Sequence, residues 1–385
     1  MSSSQLPERL RQNIAPRLPA MLSTLRRFVV AESPSLEKTA ADRCCSVIAS
    51  EWRQRKVTVE RIARKHHGDL LRITWWPQKS RPHGQLLVLG HYDTVYASGT
   101  LKKMPFRVNA GRAYGPGTFD MKAGVVQALF ALEALQRSAL TLRKRLVFLW
   151  TADEEIGSET SRRIIESEAR RSDAVFVLEP SFGPRGFLKT ARKGIGEVEI
   201  IAHGRASHAG LAPHEGINAV DEVVQQLARI AQWNGVHRDT TIAACIIEGG
   251  TRSNVIPAKA RAVLDLRALQ TAYMRRIERR LRSLRPILPG ARLEIRGGFN
   301  RSPLERKTSA ALFARAKSLA AQIGVSLGEC TVGGGSDGNL TAALGIPTLD
   351  GLGAVGDGAH SIHEHVLVRS MPERAALLAA MLATC

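Results

Sequence analysis

The sequence predicts an α/β protein in which a mainly parallel sheet carries a charged site and a smaller α+β unit is inserted into the same chain. Three observations lead there. Apolar runs of strand length alternate with helical patterns through the first half of the chain. Several of those runs end directly on acidic residues or histidine, the place where open α/β sheets bind ligands. Between about residue 194 and residue 300 the pattern shifts to half-buried strands, apolar and polar in alternation.

The first strand of interest, Gln85 to Gly90, runs straight into His91-Tyr92-Asp93. The turn Gly115-Pro116-Gly117 then leads to Asp120 and a helical stretch from Met121 to Leu135. A second strand, Leu146 to Thr151, is followed by Asp153-Glu154-Glu155, and a third, Ala174 to Leu178, ends on Glu179. In the inserted region Glu197 to His203 and Ala260 to Arg267 alternate as strands, with helical segments at 217 to 232 and 271 to 285. Late in the chain, Ile346 to Leu349 leads through Gly351 to Gly358 into Ala359-His360-Ser361. The expected domains are therefore residues 1–193 with 303–385, and residues 194–302 between them.

With 385 residues and 44% apolar content, the chain is long enough for about two domains, each with its own core. No apolar stretch approaches the roughly 18 residues that a spanning helix needs, so no membrane is expected. Met1 to Ala20 is broken by Pro7, Arg9, Arg11, Pro16 and Arg17, which does not read as a secretion signal. The five cysteines form no C-x-x-C pair, and a cytoplasmic location is expected. Lys plus Arg exceeds Asp plus Glu by 55 − 35 = 20. The densest basic run, Arg275 to Arg285, is spaced as the exposed face of a helix whose other side is Ile277, Leu281 and Leu284. A solvated arginine face is the expectation there, since no nucleic-acid motif accompanies it.

Imidazole and carboxylate are zinc ligands, and His91, Asp120, Glu155, Glu179 and His360 supply five of them. That is more than one catalytic zinc needs, but it suits two ions about 3.5–4 Å apart with a bridging carboxylate, here assigned to Asp120. Asp93 is expected to hold the other ring nitrogen of His91 without touching metal. Glu154 and Glu155, read as neighbours in an extended segment, should point apart. One would ligate, and Glu154 is expected to act as general base and acid. His363 and His365 remain rivals of His360 as the last ligand.

These motifs, Gly90-His-Tyr-Asp-Thr-Val95, Gly117-Thr-Phe-Asp-Met-Lys-Ala-Gly124, Ala152-Asp-Glu-Glu-Ile-Gly157, Leu178-Glu-Pro180, Gly204-Arg-Ala-Ser-His-Ala-Gly210, Gly333-Gly-Gly-Ser-Asp337 and Ala359-His360, resemble those of a known family. It is the zinc aminoacylase and carboxypeptidase family that contains bacterial glutamate carboxypeptidase, acetylornithine deacetylase and succinyl-diaminopimelate desuccinylase. The resemblance extends over nearly the whole chain and is strongest to the glutamate carboxypeptidase branch.

The resemblance implies two Zn2+ per subunit, one on His91, Asp120 and Glu179, the other on Asp120, Glu155 and His360, whose spacing to Glu364 matches the family pattern. It also implies Glu154 as acid/base and a cis peptide at Asp120-Met121. The inserted domain resembles a lid and dimerisation domain whose closure would exclude water and bring in His208, the histidine that polarises the scissile carbonyl, in several members from the partner of a homodimer. Asn254 matches a residue that contacts substrate. A free α-carboxylate on the substrate would want an arginine fork, for which Arg296 and Arg301 are both candidates. The expected reaction is hydrolysis of the amide of a small peptidyl or N-acyl amino acid, with release of C-terminal glutamate preferred and an N-acyl amino acid deacylase as runner-up. A non-catalytic or nucleic-acid-associated binding protein is the reading from another class; intact Glu154 and His208 argue against it.

Overall fold

The strands Gln85–His91, Arg145–Thr151 and Ala174–Val177 are apolar at nearly every position because both of their faces are covered. In the computed structural model, which describes residues 6–78, 80–138, 140–234 and 239–385, these strands lie side by side and parallel, Gln85–His91 in the middle. Thr348–Leu349 extends the sheet in parallel beyond Ala174–Val177. Leu70–Trp75 and Thr58–Ile62 continue it antiparallel on the other side.

Alternation sorts the side chains into two layers. Leu86, Val88, Leu146, Phe148, Trp150 and Phe176 face a core shared with the helices Leu18–Val30, Lys38–Arg53, Ala123–Arg137 and Ser370–Thr384. Leu87, Leu89, Val147, Leu149, Val175 and Val177 face the shorter helices Arg162–Arg170 and Gly338–Ala343 through Ile165, Ala169 and Leu340. The larger core is aromatic at its centre, with Trp52 and Phe148 ring centroids 4.7 Å apart. Truncating such a buried ring to alanine costs about 3–5 kcal/mol, enough to make this layer a main determinant of stability.

The expected helix from Met121 begins instead at Ala123. Thr118–Lys122 forms a kinked turn in which Asp120 (φ −111°, ψ 96°) and Met121 (φ −132°, ψ 34°) leave helical geometry. The backbone is thus spent on aiming Asp120 rather than on a regular first turn.

By its internal contacts the chain divides into one unit of Met1–Thr190, Arg306–Thr331 and Ser336–Cys385, and another of Ala191–Glu305 with Val332–Gly335. The second unit has a four-stranded antiparallel sheet in the order Thr240–Gly249, Lys259–Ala268, Gly194–His203, Arg292–Arg301. One face of this sheet, with Val198, Ile200, Leu264 and Leu266, is covered by the helices Ala219–Ala231 and Thr271–Arg282. Asn218 caps the first of these by accepting from the amides of Val220 and Asp221. Ile277, Leu281 and Leu284 are buried while Arg275, Arg279 and Arg282 are exposed, the solvated arginine face read from the spacing. The opposite face of the sheet carries ion pairs, such as Arg261 with Glu199 (2.9 Å) and Glu248 (2.8 Å). Among the described residues no helix is long and apolar enough to cross a membrane.

Candidate metal centre

Parallel strands place all their carboxyl ends on one edge of the sheet, so the residues that follow them meet there. His91 is the last residue of its strand, Glu154 and Glu155 follow Arg145–Thr151, and Glu179 follows Ala174–Val177 by two residues. Close packing brings the turn bearing Asp120 to the same edge: a Cβ added at Gly124 would lie 2.5 Å from the Leu178 carbonyl oxygen, so only glycine lets the helix sit this near the strand end.

The result is two clusters that share one residue. His91 Nε2 lies 3.2 Å from Asp120 Oδ1 and 3.4 Å from Glu179 Oε1. His360 Nε2 lies 3.6 Å from Asp120 Oδ2 and 3.1 Å from Glu155 Oε2. The two oxygens of Asp120 therefore face different clusters. Tetrahedral zinc with bonds of about 2.0–2.1 Å puts its ligand atoms about 3.3–3.4 Å apart, so both donor sets fit a zinc ion in number, type and spacing. His363 and His365 stand outside both clusters, and the His365 ring instead packs on Tyr114 at 5.3 Å.

Asp93, without solvent exposure, organises the site from behind. His91 Nδ1 is 3.1 Å from the Asp93 carbonyl and 3.3 Å from its Oδ1, which directs Nε2 toward Asp120. The same carboxylate accepts the amides of Glu154 (3.4 Å) and Glu155 (3.3 Å) and the Ser35 hydroxyl (2.7 Å). One buried aspartate thus fixes a histidine and both glutamates. The glutamates are not in an extended segment, as their neighbouring positions suggested, but in a single 3-10 turn, Glu154–Ile156. Asp153 and Gly157 (φ 102°) flank this turn, so the two side chains are separated by the turn and not by strand alternation.

Glu364, fully buried, accepts the amides of Phe119 (2.7 Å), Asp120 (3.0 Å) and Gly117 (3.0 Å). It clamps the kinked turn, whose Asp120-Met121 peptide is cis, as the resemblance implies. Burial pushes its pKa up to about 7 in spite of these donors. Its contribution was not legible in the sequence, where it served only as a spacing mark four residues after His360. A second support is the buried Asp337 of the glycine-rich motif, which accepts from the Ser158 hydroxyl and so ties that motif to the turn of the two glutamates.

The site is strongly anionic. Glu155 is raised above its ordinary pKa, mainly by burial. The Glu155 carboxylate lifts His360 to about 9. For His91 burial works downward, but Asp120, Asp93 and Glu179 outweigh it and raise the imidazole well above its ordinary value. Crowded carboxylates that draw protons onto neighbouring imidazoles are equally suited to draw a divalent cation.

The remaining predicted residues lie in the second unit. Ser207–His208 pairs with Val255–Ile256, and the Ala209 amide donates to the Asn254 carbonyl (2.9 Å), so His208 and Asn254 are neighbours although 46 positions separate them. Both are exposed. His208 Nδ1 accepts the amides of Gly210 and Leu211, each at 3.1 Å, an arrangement that puts a ring hydrogen on Nε2. Arg296 is exposed on Arg292–Arg301 and paired with Glu294 (2.7 Å), whereas Arg301 at the end of that strand is buried.

The signature of peptidase family M20/M25/M40 matches residues 87–384. Carboxypeptidase G2 of Pseudomonas sp. (strain RS-16) is 33% identical over 306 residues, 77% of this chain and 72% of that protein. Succinyl-diaminopimelate desuccinylase of Dechloromonas aromatica (strain RCB) is 26% identical over 376 residues, 92% of this chain and 96% of its own length. Among solved structures, the Bacillus subtilis YXEP protein, a dinuclear metal-binding peptidase of the M20 family, superposes with a TM-score of 0.70 at 14% identity, covering 96% of this chain and 98% of that one.

Proposed function

We propose that this chain, which belongs to peptidase family M20/M25/M40 and is a metallohydrolase, cleaves the amide of a small peptidyl or N-acyl amino acid with two zinc ions. The observation that carries the proposal is the pair of three-residue donor sets sharing Asp120, one carboxylate oxygen turned to each. His91, Asp120 and Glu179 would hold one ion, Asp120, Glu155 and His360 the other. Bound there, the ions supply Lewis acidity toward a carbonyl and a more acidic water.

The protein does the rest. Asp93 keeps the His91 lone pair aimed and the glutamate turn in place. Glu154 takes the proton of the attacking water and returns it to the departing amine as the C–N bond breaks, which keeps the two half-reactions balanced on one carboxylate. His208 offers Nε2–H to the carbonyl oxygen as negative charge develops on it. Asn254, beside it, contacts the substrate.

Release of a C-terminal glutamate is the preferred reaction, supported by the likeness to carboxypeptidase G2 and by an excess of positive charge that favours an anionic substrate. Arg296, the exposed candidate, is assigned to the α-carboxylate. An N-acyl amino acid deacylase is the second reading, favoured by the likeness to the desuccinylase. A homodimer is supported by the edge strand Thr240–Gly249, which is paired on one side only among the described residues and exposes Ile246 and Ile247. No disulfide joins the cysteines among the described residues, and Cys44 and Cys45 are buried, which supports a cytoplasmic setting.

Zinc content measured per chain, together with hydrolysis of C-terminal glutamyl peptides and N-acyl amino acids before and after chelation, tests the proposal. About two zincs and chelator-sensitive turnover are expected. A folded protein that takes up no metal would overturn it.

A further inference from the structure

Exposed apolar side chains are ordinary when scattered, and informative when they converge. Leu36, Val95 and Ile156 are among the most exposed large hydrophobic residues of the first unit, at 75%, 47% and 38%, and all three line one cleft of about 300 Å3 together with Pro34 and Ala97. Glu155 lies in its wall, so the cleft opens beside one of the two donor sets. It is held rigidly to that site: Pro34 bridges to Thr94, the Ser35 amide donates to the Thr94 carbonyl (3.2 Å), and the Ser35 hydroxyl is turned away to Asp93.

The charge of the cleft is one-sided. Glu155 is taken up by the donor set, which leaves Glu37 as the charged side chain the cleft presents to a bound group, and no Lys or Arg lines it among the described residues. Glu37 accepts from the hydroxyl (2.6 Å) and amide (3.2 Å) of Ser98, hydrogen bonds that hold its carboxyl below the ordinary value and keep it ionised at neutral pH. An anionic group seated along the apolar wall would lie near Glu37 with no cationic side chain of the cleft to pair with. The free carboxylates of a released amino acid therefore belong elsewhere, and what remains of the substrate is the part on the carbonyl side of the scissile bond.

We infer that the cleft of Pro34, Leu36, Val95, Ala97 and Ile156 seats the acyl side of the substrate and selects an uncharged, apolar acyl group over a short or anionic one. The inference rests on the proposed amide hydrolysis for the orientation of the substrate, but the cleft's preference can be measured without turnover.

The test is binding of simple carboxylic acids to the zinc-loaded protein by calorimetry, compared with kcat/KM for the matching N-acyl amino acids. Hexanoate and phenylacetate should bind at least about tenfold more tightly than acetate, a part of what full burial of their added carbons would give, while succinate should gain nothing over acetate. In the double variant Leu36→Ser, Val95→Ser the preference should shrink to within about threefold, with acetate binding unchanged. Both positions are exposed, so the fold should tolerate the change. Equal binding of all four acids, or a preference that survives the double variant, would overturn the inference. Hydrolysis that is indifferent to the acyl chain would remove the cleft's role and leave the hydrolase standing. Selective binding of the apolar acids without hydrolysis of any amide would keep the cleft and remove the proposed reaction.

Discussion

In the first unit the polar groups of the site are buried and held from several sides: Asp93 contacts His91, Ser35 and two backbone amides, and Glu364 contacts three more. In the second unit His208 and Asn254 are exposed on a ladder only two residues long. The difference suits the tasks proposed for them. A metal centre gathers like charges, which stay together only if their surroundings are fixed, whereas a group that meets the carbonyl oxygen of an arriving substrate has to be open to it.

This contrast sets the order of the expected effects. Glu154→Gln should lower kcat by about 10²–10⁴-fold with metal content unchanged, since a carboxamide cannot carry the proton. A variant that also loses zinc would show Glu154 to belong to the ligand set. His208→Ala, in the open region, should lower kcat by about 10²–10³-fold and leave zinc stoichiometry and melting temperature as they were. Full activity in that variant would erase the assigned division of labour between the two units. Asp93→Asn should keep the fold but weaken zinc binding about 10- to 100-fold, measured by competition with a chelator, because the support of His91 and the glutamate turn is loosened. The last effect is graded by pH. With its pKa at about 9, His360 is protonated at neutral pH in the metal-free protein, and zinc must displace that proton. Apparent zinc affinity should therefore rise by at least about tenfold per unit of pH through neutrality, with proton release on binding, and the part owed to His360 should end above about pH 9; a flat profile would remove the protonated histidines His91 and His360 from the ligands.

Much of this arrangement can be read from local sequence. Apolar runs such as Leu146 to Thr151 announce strands covered on both faces, and a charged residue at the end of each such run announces a shared edge, because parallel strands end together. The stripe of Ile277, Leu281 and Leu284 is likewise legible, since helical periodicity is a property of neighbours. Periodicity says nothing of partners far apart in the chain. It could not show Glu364 beneath Asp120, 244 positions away, nor Asp93 receiving both amides of the glutamate turn.

What the sequence alone determined is the chemistry available and the edge of the sheet where it gathers, for residue type and the period of burial are local. Which oxygen of Asp120 faces which histidine, why His360 rather than His363 or His365 enters a cluster, that Glu154 and Glu155 share a 3-10 turn, and that residues 34–37, 94–97 and 155–156 enclose an apolar cleft were decided by the tertiary structure. Each depends on distances of a few ångströms between segments that only the packed sheet, its close helix and its buried carboxylates bring together.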